Sequence, residues 1–171
     1  MSRHQQNGFT IVELLIVVVV IAILAAITIA AYNGIQNRAN DAAVKSDLAT
    51  VAQKVKLYQV DNGVFPNGLQ LPTAVGSFTA SKGSYATHTT TDHNLIYCMS
   101  TDKLTFAVVA YSKSGNKFVA TESSGVASYT NAWTDQVVAC QGALGANYAA
   151  NSRGYAGDDL VTGPWRAWTG S

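Results

Sequence analysis

The sequence predicts an α+β fold: one long N-terminal α-helix, hydrophobic and of membrane-spanning length in its first half, packed by its second half on a small antiparallel β-sheet. Three observations carry this expectation. Residues 14–27 are apolar without a break, and Thr28 is the only interruption before Tyr32. Val44, Leu48, Val51, Val55 and Tyr58 then recur at spacings of four and three, the stripe of an amphipathic helix. From residue 94 on, short runs rich in β-branched and aromatic side chains alternate with Ser, Gly and Asn turns.

A hydrocarbon core of ~30 Å takes about 20 helical residues. Residues 11–31 meet that length with one ionisable side chain, Glu13. A carboxylate near the end of a membrane helix costs roughly 2 to 3 kcal/mol unless it neutralises, snorkels or meets a cation. Glu13 is therefore either a tolerated interfacial acid or one half of a charge pair. A cut after Gly8 would supply the other half, because Phe9 would become a free amino terminus one helical turn from Glu13. On a neighbouring copy that ammonium would be a mobile partner.

The short polar leader with Arg3 beside His4, then Gly8-Phe9-Thr10, Glu13 and a Leu/Ile/Val/Ala run, resembles the signal of type IV pilins and pseudopilins. The resemblance implies cleavage between Gly8 and Phe9 by a membrane-embedded prepilin peptidase, N-methylation of Phe9, and packing of the apolar helices into a filament core. Glu13 matches the acid that this family uses to recruit the next subunit. Many members carry a helix-breaking glycine inside the apolar run and a proline near its end, where this chain has Ala22 and Ala30. Alanine is the best helix former and proline costs about 3 kcal/mol inside a helix, so nothing here favours local unwinding.

Four stretches follow: a leader over residues 1–8, a transmembrane and filament-core helix over 9–31, its amphipathic continuation over 32–62, and a β head with connecting loop and C-terminal tail over 63–171. Gly34 and Asn40 are weak points in the helix, and Asp41 can pair with Lys45 one turn on. Asp61-Asn62-Gly63 ends it, since Gly63 can turn left-handed and Pro66 forbids continuation. The run from Leu57-Tyr58 to Pro66 also resembles the helix exit of many pilins and major pseudopilins. Residues 67–93, rich in Gly, Ser and Thr, read as a loop crossing from helix to sheet.

Residues 94–99 and 103–111 read as strands, residues 112–116 as a turn, residues 117–121 as the return of a hairpin, and residues 133–140 as a further strand. Three or four antiparallel strands would cover the helix stripe. The tail from Gln141 on is dominated by glycine and aromatics, including Tyr148, Tyr155, Trp165 and Trp168, and it either wraps the sheet, meets a neighbour or stays partly mobile.

Cys98 and Cys140 lie beyond the membrane-length run. They are either a disulfide, which by chain entropy would stabilise a loop of about 40 residues by roughly 4 kcal/mol, or two reduced buried thiols. The family resemblance favours the bridge.

Charged residues make up 12% of the 171-residue chain and the formal net charge is +1, so there is no electrostatic case for a specific nucleic-acid partner. His88, His93 and Cys98 fall at intervals of five, which matches no usual zinc spacing. Asp158-Asp159 after Gly157 is a weak start for calcium, which takes six to eight oxygens. No nucleophile elbow, zinc-protease motif or phosphate loop occurs, so neither an enzyme nor a cofactor is expected.

The sequence thus points to a structural subunit of a type IV pilus-like surface filament, held first in the cytoplasmic membrane with the N-terminus inside. Its expected partners are further copies of itself, other pilins, the prepilin peptidase and an assembly platform. A pseudopilin of a type II-like secretion system is the closest alternative. A secreted binding domain with an ordinary signal peptide, using residues 14–27 as the hydrophobic region and cut near Ala30 or Ala31, is the alternative from another class.

Overall fold

A computed structural model of the chain describes residues 9–76, 78–86, 94–149 and 154–156. Two compact units emerge, Met1–Gln36 and Asn37–Ser171, with helix α1 (Ile11–Asn62) contributing to both.

In the first unit α1 is helical throughout, including Ala22, Ala30 and Gly34. Its large apolar side chains between Ile11 and Ile35 are all exposed, from 48% at Val19 to 82% at Ile11. An all-round apolar helix has no polar face to show water, which marks a helix whose solvent is lipid or other helices. This helix is the one among the described residues long and apolar enough to cross a membrane.

In the second unit α1 changes character. Val44, Leu48, Val51 and Val55 are fully buried, while Lys45, Ser46 and Gln53 face outward, joined near the helix end by the exposed Leu57 and Val60. The helix ends where the sequence places its stop: Gly63 takes φ 75° and its N–H donates to the Gln59 carbonyl at 2.8 Å.

The connection is more structured than a plain loop. It holds a five-residue helix α2 (Leu71–Val75), with Pro72 in its first turn and Leu71 and Val75 buried. The Lys54 ammonium donates to the Val75 carbonyl at 2.7 Å, fixing this helix to α1. Asp47, on α1, accepts from the Ser81 N–H at 2.7 Å and from the Tyr85 hydroxyl at 2.9 Å, fixing the later part of the connection.

The sheet is antiparallel with five strands: β1 (Leu95–Met99), β2 (Phe106–Tyr111), β3 (Lys117–Thr121), β4 (Ala127–Ser128) and β5 (Gly154–Ala156), in the order β4-β3-β2-β1-β5. Ile96 faces Val109 and Val109 faces Val119 across the ladders. Side chains alternate between two apolar clusters. Leu95, Tyr97, Met99, Phe106, Val108 and Ala110 join the α1 stripe. Ile96, Cys98, Ala107 and Val109 point to the other face, where Trp133, Ala139 and Cys140 cover them.

That second cover is a departure from expectation. Residues 133–140 do not form a strand, and α3 (Gln136–Leu144) lies on β1 and β2 instead. Asp135 caps it, its carboxylate accepting from the Val137 and Val138 N–H groups at 2.7 and 2.8 Å. An Asp cap followed by Ala139, Ala143 and Leu144 outweighs the β preference of two adjacent valines. Cys98 on β1 and Cys140 on α3 form a disulfide with Cα atoms 5.5 Å apart, tying helix to sheet.

Residues 103–105 also fall outside the strand expected there. Lys103 has φ 61° in a turn that closes with its N–H on the Ser100 carbonyl at 3.1 Å. From the tail, residues 154–156 add a strand beside β1, with Gly154 opposite Tyr97. The expected Asp41–Lys45 ion pair is not formed. Asp41 instead accepts from the Ser114 hydroxyl and from the Asn116 amide, and Lys45 lies over the Phe118 ring, 4.7 Å from its centroid. Two neutral donors on the β2–β3 turn already occupy the acid, so the lysine settles on an aromatic face.

Candidate functional site: the head of the apolar helix

The sequence singles out Gly8, Phe9 and Glu13. Gly8 lies outside the described residues, as do His88, His93, Asp158 and Asp159. Phe9 precedes the helix and is 83% exposed.

Glu13 sits in the first turn, where the free N–H groups of a helix favour a negative charge. Its carboxylate is not idle. One oxygen, Oε2, accepts from both the Thr10 N–H at 2.8 Å and the Thr10 hydroxyl at 2.7 Å. The Glu13 N–H in turn donates to Thr10 Oγ1 at 3.2 Å. This reciprocal pair is a capping box: the residue before the helix and the residue three further on satisfy each other's backbone donors. Such a cap contributes about 1 kcal/mol in water.

Thr10 is the residue that sequence reasoning missed, and its signal was legible in Thr10-Ile11-Val12-Glu13, the Thr-x-x-Glu of a capping box. Both intrachain hydrogen bonds converge on Oε2. Among the described residues nothing pairs with Oε1, and no cation lies against the carboxylate. The site therefore presents a positioned acid, held by its own chain through one oxygen, at the head of a helix without apolar cover. That arrangement can receive an ammonium from outside the chain without giving up the cap.

Cys98 and Cys140 play a different part, since their bridge makes both unavailable as metal ligands or nucleophiles. Among the described residues no cluster of three or more His, Cys, Asp or Glu side chains is placed to hold a metal ion.

This stretch also matches known proteins. Residues 3–29 match the family described as the prokaryotic N-terminal methylation motif. The chain is similar to the type II secretion system core protein G of Pseudomonas aeruginosa, 34% identical over 70 residues, which are 41% of this chain and 49% of that protein. The core protein G of Klebsiella michiganensis is 33% identical over 73 residues, 41% of this chain and 51% of the relative. The type IV wide pilus major component PilA4 of Thermus thermophilus is 42% identical over 59 residues, 34% of this chain and 45% of the relative. The chain thus spans about half the length of the curated relatives it matches. With the methylation motif at its head, an exposed apolar helix that turns amphipathic, and an antiparallel sheet on the amphipathic half, the chain is similar to type IV pilins and pseudopilins, the sequence likeness lying in its N-terminal part.

Proposed function

We propose that this chain is a structural subunit of a type IV pilus-like filament, assembled through residues 9–31 and displayed through the head formed by residues 63–171. The observation that carries the reading is the apolar surface from Ile11 to Ile35, none of it covered by its own chain, with a positioned Glu13 at its head. Before assembly the lipid bilayer covers that surface; in the filament, sister helices replace lipid.

Prepilin peptidase cuts between Gly8 and Phe9, and the new Phe9 amine is methylated. It becomes the cation that Glu13 of another copy receives. In a low-dielectric helix core an ion pair is worth little as net stability and much as register, because a misplaced partner leaves an uncompensated charge. Glu13 therefore sets how far one subunit sits along the next. The role is structural rather than catalytic, with the peptidase, an assembly platform and other pilins as partners in the cytoplasmic membrane and further copies of the chain at the cell surface.

Expression of Glu13→Ala tests this in cells. The variant should be processed and membrane-inserted as usual, with Phe9 as its sequenced amino terminus, while filament yield falls by an order of magnitude or more. Wild-type filament levels from Glu13→Ala would remove the role of Glu13, and a mature chain starting near Ala31 would replace the whole reading with a secreted domain.

The likeness to core protein G favours a second reading, a pseudopilin of a type II-like secretion system. Long surface fibres at native expression distinguish the pilin, and calcium-dependent stability distinguishes the pseudopilin.

A further inference from the structure

Within the second unit, a cavity of about 360 Å³ opens between the outward face of α1 and the β3–β4 side of the sheet. Asp41 and Lys45 line it from α1, and Lys117, Ser128, Tyr129 and Thr130 from the sheet side. We propose that this cavity is an anion subsite that takes a carboxylate or phosphate group.

The two ammonium groups are the basis. Lys45 lies over the Phe118 ring and, among the described residues, donates no hydrogen bond. An exposed contact of that kind is weak and takes none of the three N–H bonds to an acceptor. Lys117 lies 5.8 Å from the Tyr129 ring centroid and gives one N–H to the Asn131 carbonyl at 2.7 Å, which leaves two. Neither lysine forms an ion pair among the described residues. The hydroxyls of Ser128 and Thr130 add two further donors on the same wall. The cavity is thus rich in hydrogen-bond donors, with two ammonium groups set against the one carboxylate of Asp41.

Asp41 also lines the cavity, and its carboxylate reduces the two ammonium charges to a net of +1. The Ser114 hydroxyl and the Asn116 amide hold its two oxygens, and these bonds tie the β2–β3 turn to α1. The acid therefore fixes the separation of the two walls. Tyr129 is held in turn by its N–H on the Lys117 carbonyl at 2.9 Å and by its hydroxyl on the Ala139 carbonyl at 2.8 Å. The lining is consequently set before any ligand arrives, which lowers the entropic cost of binding. Charge-assisted hydrogen bonds from two lysines to one anion are consistent with a dissociation constant on the order of 1 mM at low salt.

The test uses the full chain in nonionic detergent, titrated calorimetrically with inorganic phosphate in one arm and with glucuronate, a sugar carboxylate, in the other. Saturable one-to-one binding of at least one anion is expected, and the stronger arm identifies the group. Lys45→Met should weaken it by about tenfold or more, whereas Lys56→Met, outside this cavity, should leave it unchanged. Lys117→Met serves as the second variant, with a similar loss expected. Raising the salt to about 0.5 M should weaken binding in the wild type. Heats that stay linear to tens of millimolar in both arms, or equal affinity in wild type, Lys45→Met and Lys117→Met, would overturn the proposal. Binding is read on dispersed subunits, so a failed assembly role for Glu13 would not affect this result.

Discussion

The two halves of α1 share one backbone and solve opposite problems. Between Ile11 and Ile35 every large apolar side chain is exposed, while Val44, Leu48, Val51 and Val55 are fully buried under β1, β2 and β3. The difference is written in the pattern rather than in the amount of hydrophobic residue. The later half gathers Val44, Leu48, Val51 and Val55 into one stripe that finds cover within the chain, and leaves Leu57 and Val60 exposed near its end. The earlier half is apolar all round and no single sheet could cover it. The later half is a finished core, and the earlier half is an apolar surface left without cover among the described residues.

The largest expected effect sharpens the view of the second unit as closed by itself. Replacing both cysteines, Cys98→Ser with Cys140→Ser, opens a loop with a sequence separation of 42. Chain entropy then predicts a loss of about 4 kcal/mol in unfolding free energy. Urea unfolding in detergent micelles, followed by tryptophan fluorescence, measures it. An unchanged midpoint would mean that α3 holds to the sheet without its bridge.

A paired substitution tests the comparison directly. Leu48→Ala removes a fully buried side chain from the stripe and should cost about 3 kcal/mol by the same measurement. Leu24→Ala, in the exposed half, should stay within about 0.5 kcal/mol. Equal losses would erase the distinction between the halves. Next in size is Gly142→Ala on α3. An added Cβ there would sit 2.2 Å from the Tyr129 hydroxyl oxygen and 2.9 Å from Asn131 Cβ. The crowding should cost about 2 kcal/mol, and a neutral result would show that the outer cluster is loosely packed.

The smallest effect concerns pH. Burial pushes the Asp47 carboxyl above its ordinary value, against the pull of the Ser81 N–H and of the Tyr85 and Ser81 hydroxyls. An acid raised in the folded state contributes most to stability below the ordinary carboxylate value and loses that contribution as pH rises through the raised one. Asp47→Asn cannot titrate. The stability of wild type relative to this variant should therefore increase as pH falls from 7 toward 4. Asp41 runs the other way: burial pushes it up, but the Ser114 and Ser112 hydroxyls, the Asn116 amide and the Lys45 ammonium together hold it below its ordinary value. Its contribution is present above the ordinary carboxylate value and is lost as pH falls through the lowered one. Unfolding curves at several pH values in which wild type loses stability relative to Asp47→Asn on acidification would contradict the assignment for Asp47.

Much of this fold was legible from periodicity. The stripe from Val44 to Val55, the stop at Gly63 and the hairpin of β2 and β3 all follow from spacing and turn chemistry, because long periodic segments average out local ambiguity. Short elements did not show. Val137-Val138 reads as strand until Asp135 is seen as a cap, and Leu71 with Val75, four apart, is a faint sign of one helical turn among loop residues. At the site, Glu13 stood out because an acid in an apolar run is costly, whereas Thr10 passed as an ordinary polar residue. Asp41 was assigned the wrong partner because helical spacing reveals the neighbour one turn away and is blind to a turn 73 residues downstream.

The sheet has a further consequence. Both of its faces are covered, and among the described residues it ends in strands of two and three residues, Ala127–Ser128 and Gly154–Ala156. Such stubs give an approaching chain almost no ladder of open N–H and C=O groups to extend. In a filament of the proposed kind, such edges would keep neighbouring heads from pairing strand to strand.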